Sequence, residues 1–128
     1  MQQPFKYYEN NIVGTLNLLK AMDAYAVRNF VFSSSCTVYG DSSFQPLTES
    51  AQKQPCASPY GWSKSINEDI LLGLCQSTDL KVCALRYFNP IGSHPSGIIG
   101  EEANGVPSNL LPYVIKTATG EYPFLKVR

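Results

Sequence analysis

Two short apolar runs, Asn29 to Ser34 and Lys81 to Tyr87, are each preceded by a stretch of helical pattern, and no hairpin signal lies between them. Tyr8 to about Val27 places Ile12, Leu16, Leu19, Met22 and Ala26 on one stripe at helical pitch, closed by Arg28. The first run then ends in the small polar residues Ser33 and Ser34, as a buried parallel strand does at its exit. A second helix, from Tyr60 to about Cys75, carries Trp62, Ile66 and Ile70 as its expected buried row. Helix, strand, helix, strand without a hairpin predicts an α/β fold: a parallel sheet layered with helices. A last helix is expected from about Ser108 to Ala118, followed by a strand-like tail from Tyr122 to Val127.

At 128 residues and 44% hydrophobic content the chain can bury one small core, so at most one domain is expected. Ten basic and ten acidic residues, with no run of like charge, leave no electrostatic footprint for nucleic acid or an anionic membrane. No apolar stretch approaches a membrane span, and Met1 to Lys6 lacks the core of a secretory signal, so a soluble intracellular protein is expected. Cys36, Cys56, Cys75 and Cys83 show no paired short spacing and His94 is the single histidine. Neither a metal site nor a disulfide is expected; each cysteine reads as a small apolar residue.

The chemistry concentrates at Tyr60-Gly61-Trp62-Ser63-Lys64, entered through Ser58-Pro59. A tyrosine four residues before a lysine shares a helix face with it. Ser58 is a good N-cap and Pro59 a natural first helical residue, so Tyr60 falls in the first turn, where the helix dipole favours negative charge. A phenolate ready at neutral pH needs on the order of 4 kcal/mol of differential stabilisation. An adjacent cation and a helix N-terminus together supply barely that much, and a bound oxidised nicotinamide would add the remainder. Such a base suits hydride transfer at a carbinol carbon. The spacing alone is also what an ordinary capped helix with a surface lysine shows, and Tyr122 to Lys126 repeats it between Gly120 and Pro123 in a context that reads as a turn.

Ligands of such sheets bind beyond the carboxyl ends of the strands. Ser33 to Thr37 and Tyr87 to Asn89 both lie at that edge, together with the first turn of the Tyr60 helix. A serine run there is equally the mark of a plain strand-to-loop transition. Asn89 to Pro107, studded with glycine and proline, is too long for an idle connection and is expected to bind something.

Three blocks carry a resemblance: Phe32-Ser33-Ser34-Ser35-Cys36-Thr37-Val38-Tyr39-Gly40, Ser58-Pro59-Tyr60-Gly61-Trp62-Ser63-Lys64, and Leu85 through Gly97. With Tyr7-Tyr8-Glu9-Asn10-Asn11, Gly14-Thr15 and Pro107 through Tyr113 in the same order, essentially the whole chain resembles the UDP-glucose 4-epimerase family of extended short-chain dehydrogenases/reductases. The resemblance implies a partial Rossmann-like, doubly wound parallel sheet: one partial NAD-binding and catalytic domain over 1–128, with about 88–128 beginning the substrate-binding part. It implies interconversion of UDP-galactose and UDP-glucose in galactose metabolism, by transient oxidation at C4 with NAD, in a cytoplasmic enzyme that is a homodimer when whole.

Under that resemblance Tyr60 is the base, Lys64 holds the nicotinamide ribose and tunes Tyr60, and Ser35 bonds the same sugar hydroxyl. Ser33, Asn10 and Tyr87 join Tyr60 and Lys64 around the cofactor. Cys36, Thr37, Tyr87, Phe88, Asn89, Ser108, Asn109 and Leu110 join Ser35 around the nucleotide sugar. A nucleotide-sugar 4,6-dehydratase, the rival within the superfamily, resembles Thr-Asp-Glu where this chain has Ser35-Cys36-Thr37, and eliminating water needs that acid and base. The family's glycine-rich pyrophosphate turn, its acidic adenosine-ribose residue and most of its substrate domain have no counterpart in the sequence, which therefore reads as a central fragment. A non-catalytic remnant or partner-binding piece is the alternative of another class, and no turnover is expected from the chain alone.

Overall fold

The computed structural model describes residues 3–42, 45–92, 94–99 and 109–126. They form two compact units, Met1–Phe88 and Asn89–Arg128.

The first unit opens with α1 (Pro4–Tyr8), a wide π turn (Glu9–Val13) and α2 (Gly14–Ala24), which run on as one helical rod. The sequence pattern predicts a uniform helix from Tyr8 to Val27, and the structure corrects it at three points. The rod starts at Pro4, whose missing N–H suits a first helical residue. It widens where the Asn67 side-chain amide donates to the Asn11 carbonyl at 2.8 Å, a side chain inserted into the ladder being an established cause of such turns. It stops at Ala24 in a paired cap, with Ala26 N–H donating to the Asp23 carbonyl (3.1 Å) and Val27 N–H to the Met22 carbonyl (2.8 Å). That cap holds Ala26 at a φ of +54°, in the left-handed region. Relief of this strain outweighs the added freedom of the unfolded chain, so Ala26→Gly is expected to stabilise the unit by roughly 0.5–1 kcal/mol. A raised urea midpoint at unchanged slope is the reading that checks it.

Strands β1 (Asn29–Ser35) and β2 (Lys81–Tyr87) pair in parallel, in register from Asn29 opposite Lys81 to Ser35 opposite Tyr87. Helix α3 (Pro59–Ser77) makes the crossover. Leu19 and Met22 of α2, Phe32 of β1 and Leu71 of α3 form the core, flanked by Phe30, Ile70, Leu74, Leu80 and Val82. Both helices therefore cover the same face of the sheet. The first run reads as a buried strand, yet Val31 of β1 and Cys83, Ala84 and Leu85 of β2 are exposed.

The packing row of α3 also differs from expectation. Trp62 is 41% exposed and Ile66 half-buried, while Gly61, Ser63, Ser65, Asn67 and Leu71 are buried. The first turns of α3 lie too close to their neighbours for large side chains: a Cβ on Gly61 would sit 3.0 Å from Cys56 Cβ and 3.4 Å from Thr37 Cβ. Hydrogen bonds replace apolar contact there. Asn67 bonds Asn11 and reaches Thr15 Oγ1 at 3.4 Å, and the Asn11 amide donates to Ser63 Oγ at 2.9 Å.

After β1 the chain makes a short 3-10 turn (Cys36–Tyr39) that buries Val38 and Tyr39. Gly40 leaves it at a φ of +56°, where a Cβ would meet Gln54 Cβ and the Pro55 carbonyl oxygen at 2.7 Å. Gly40→Ala is expected to cost about 1–3 kcal/mol, read as a lowered denaturation midpoint.

In the second unit α4 spans Leu110–Ala118; Ser108, its expected start, lies outside the described residues. The tail is not a strand over 122–126. Gly120, at a φ of +82°, turns the chain so that Tyr122 N–H donates to the Lys116 carbonyl (3.0 Å) and its ring packs on Tyr113 at 5.9 Å.

Candidate active site

Ser58 caps α3 as its sequence context predicts: its Oγ accepts from Gly61 N–H at 3.1 Å, and Pro59 is the first helical residue. Tyr60 is thereby held in the opening turn. One turn on, the Lys64 ammonium donates to the Ser33 carbonyl at 2.8 Å. It lies 5.2 Å from the Phe32 ring centre and 5.6 Å from that of Tyr60. Burial pushes the Lys64 pKa below the ordinary lysine value. The charge is thus held against one carbonyl and two aromatic rings at the carboxyl end of β1, with N–H capacity left for a ligand hydroxyl.

Ser35, the last residue of β1, is buried. Its Oγ accepts from Thr37 N–H (3.3 Å) and Thr37 Oγ1 (3.0 Å), so its own proton remains to be donated. Thr37 in turn packs on Gly61, the residue after Tyr60. Among the described residues nothing hydrogen-bonds the Tyr60 hydroxyl, while the Tyr60 ring meets Tyr7 edge-on at 6.2 Å. A donor hydroxyl, a free phenol and a held cation therefore gather where β1 ends and α3 begins.

Of the other residues singled out from the sequence, Tyr87 pairs opposite Ser35 and is partly exposed, and Cys36 and Thr37 form the 3-10 turn. Phe88 stacks on Tyr39 at 6.5 Å. Asn10 is exposed on the π turn. Asn89, Asn109 and Leu110 are exposed in the second unit, and Ser108 falls outside the described residues. The donors at Lys64, Tyr60 and Ser35 suit the ribose and carbinol end of a dinucleotide and its substrate. The sequence holds no Gly-x-Gly-x-x-Gly turn for the pyrophosphate.

Sequence reasoning passed over a second set of groups. Glu68 takes a bidentate grip from Arg86 (Nε 3.0 Å, Nη2 2.8 Å) and a hydrogen bond from Ser34 Oγ at 2.5 Å. Burial raises the Glu68 pKa, but the bonds from Arg86 and Ser34 and the charges of Arg86 and Lys53 outweigh it and hold the carboxyl below the ordinary range. A depressed folded-state pKa contributes stability that is complete above the unfolded value, about 4.3, and is lost as pH falls through the lower folded value. The urea midpoint is therefore expected to drop below about pH 4, and Glu68→Gln to remove that part of the drop. The available signal was Glu68 standing four residues after Lys64.

Hollows among the described residues open elsewhere. One of about 270 Å³ lies between α3 and β2, lined by residues including Leu72, Cys75 and Val82. Another, of about 290 Å³, lies between the ends of α2 and α3. Tyr60, Lys64 and Ser35 line neither; the first is rimmed by charges already paired with one another, Lys53 with Asp69 and Glu68 with Arg86.

Residues 1–127 match the family described as NAD dependent epimerase/dehydratase. The chain is 48% identical over 128 residues to the UDP-glucose 4-epimerase of Pasteurella multocida, covering 99% of this chain and 38% of that protein. It is 50% identical over 125 residues to the UDP-glucose 4-epimerase of Drosophila melanogaster, covering 97% and 36%. The structure superposes on the UDP-glucose-4-epimerase from Stenotrophomonas maltophila, solved with NAD and formylated UDP-arabinopyranose, with a TM-score of 0.88 at 44% identity, covering 94% of this chain and 36% of that one. The enzyme from Bifidobacterium longum, in complex with NAD+ and UDP, gives 0.87 at 44%, covering 96% and 37%. The chain thus spans a little over a third of the length of these relatives.

Proposed function

The chain belongs to the NAD dependent epimerase/dehydratase family, and from that premise we propose that it carries the proton-transfer centre of a UDP-glucose 4-epimerase, which interconverts UDP-galactose and UDP-glucose. Tyr60 takes the proton from the sugar's 4-hydroxyl as the C4–H bond breaks, and returns it when the hydride comes back. Ser35, already accepting two hydrogen bonds from Thr37, donates its own proton to the same sugar oxygen. The Lys64 cation stabilises the negative charge that develops on the phenol, and its spare N–H groups hold the nicotinamide ribose. Bound NAD supplies the acceptor for the C4 hydride and the donor that returns it to the opposite face of the sugar. Ser33, Asn10 and Tyr87 complete the cofactor's surroundings in this proposal. Cys36, Thr37, Phe88, Asn89, Ser108, Asn109 and Leu110 join Tyr87 around the nucleotide sugar.

The observation that carries the reading is the 2.8 Å bond from Lys64 to the Ser33 carbonyl, which pins the cation at the carboxyl end of β1 beside an uncommitted phenol. Epimerisation is favoured over dehydration because Ser35-Cys36-Thr37 offers no carboxylate at the strand end. We extend the proposal to residues 1–128 as part of one NAD-binding and catalytic domain, with about 88–128 entering the substrate-binding part, and to a cytoplasmic homodimer as the whole enzyme. No helix among the described residues is long and apolar enough to cross a membrane.

The test is a chimera in which this chain replaces the matched segment of the Pasteurella multocida enzyme. Conversion of UDP-galactose to UDP-glucose with NAD is the expected result. A folded chimera that binds NAD yet converts nothing would overturn the proposal. The chain alone is expected to give no turnover, with the apolar strand residues Val31, Cys83 and Leu85 left exposed.

A further inference from the structure

Tyr60, Lys64 and Glu68 stand at i, i+4 and i+8 on α3, so the pair assigned to proton transfer continues one turn further as a stripe of three. The last two members attach α3 to consecutive points of β1. Lys64 donates to the carbonyl of Ser33, and Glu68 accepts from the hydroxyl of Ser34, the next residue, at 2.5 Å. The carbonyl that holds the cation belongs to the peptide joining those two serines. Any rotation of that peptide that released Lys64 would also pull the Ser34 side chain from Glu68.

Glu68 is itself anchored from the second strand. Arg86, directly opposite Ser34 in the sheet register, grips both carboxylate oxygens, while its guanidinium lies 4.8 Å from the Tyr39 ring centre. The Glu68 side chain is only 9% exposed, so water cannot readily replace these partners. Helix α3, β1 and β2 thus meet at one carboxylate directly behind the residues that carry the chemistry.

We propose that Glu68 is a positioning residue of this site: clamped by Arg86 and holding Ser34, it fixes the Ser33 carbonyl that keeps Lys64 beside Tyr60. The proposal rests on the reading of Tyr60 and Lys64 as the proton-transfer pair, but its test needs no turnover. Lys64 sits among the rings of Phe32 and Tyr60, so its ε-methylene protons carry a ring-current shift that NMR of the whole chain with labelled lysine reads directly. In folded Glu68→Gln that shift is expected to collapse towards the position of an exposed lysine. Ser34→Ala, which removes one rung and no charge, is expected to move it part of the way. Asp69→Asn, which breaks the neighbouring ion pair with Lys53 on the same helix, is expected to leave it unchanged.

An unchanged Lys64 signal in folded Glu68→Gln overturns the proposal. Should that variant not fold, an unchanged signal in Ser34→Ala overturns it. In the chimera, Glu68→Gln is expected to lower kcat on the order of 10-fold to 100-fold with KM little changed, as a small displacement of a reacting group does. A collapsed Lys64 shift in a chimera that has no activity to lose would sink the epimerase reading and leave the clamp standing.

Discussion

Tyr60→Phe in the chimera is expected to lower kcat by roughly 10²- to 10⁴-fold while KM stays within a few-fold of its starting value. The substitution removes one oxygen and nothing that supports the fold. The Ser58 cap bonds the backbone of Gly61, not the Tyr60 side chain, and the edge-on contact with Tyr7 uses the ring, which phenylalanine keeps. Since the hydroxyl has no protein partner among the described residues, its loss leaves no buried group unsatisfied. Steady-state kinetics with UDP-galactose separates the outcomes: a fall confined to kcat belongs to a group that acts in the transition state. A rise in KM with kcat unchanged would assign Tyr60 to binding instead.

Phe32→Ala is expected to have the largest effect on stability, about 3–5 kcal/mol, against a total that for a small domain is often only about 5–15 kcal/mol. Phe32 is one of the four buried residues that form the core cluster and its buried member on the sheet, with Phe30 and Val82 packed at the cluster's edge. A cavity there can collapse little, because Leu19, Met22 and Leu71 come from helices fixed by hydrogen bonds to one another through Asn11, Asn67 and Ser63. The same ring flanks the Lys64 ammonium at 5.2 Å, so the variant also takes away part of the cation's setting. Urea denaturation followed by the fluorescence of Trp62 measures the loss; a cost below about 1 kcal/mol would mean that the core does not depend on this ring.

The local chemistry of strands and caps was legible in the sequence. β2 runs from Lys81 to Tyr87 as its apolar run indicates, and Ser58-Pro59 starts α3 because an oxygen to accept N–H and a fixed φ are wanted at those two positions. Ser33, Ser35, Tyr60 and Lys64 come to one strand end because a parallel sheet sends its crossover helix from that edge. What periodicity could not reveal depended on partners distant in the chain. The π turn exists because Asn67, 56 residues on, reaches the Asn11 carbonyl. Trp62 faces outward because the inner side of α3's first turns is filled by small and hydrogen-bonded residues, a pattern that carries no apolar stripe. The pairing of Glu68 with Arg86 depends on the sheet register, which places Arg86 opposite Ser34. The tail from Tyr122 has strand-like composition, but Gly120 turns it back onto α4 before any strand partner is available among the described residues.

The most direct measurement is a crystal structure of the chimera with NAD and UDP-glucose, read at the sugar's 4-hydroxyl. Tyr60 Oη and Ser35 Oγ are both expected within about 3 Å of that oxygen, with Lys64 still bonded to the Ser33 carbonyl. A sugar bound with its 4-hydroxyl out of hydrogen-bond reach of both groups, or Lys64 turned away from Ser33 to another partner, would contradict the proposed proton transfer.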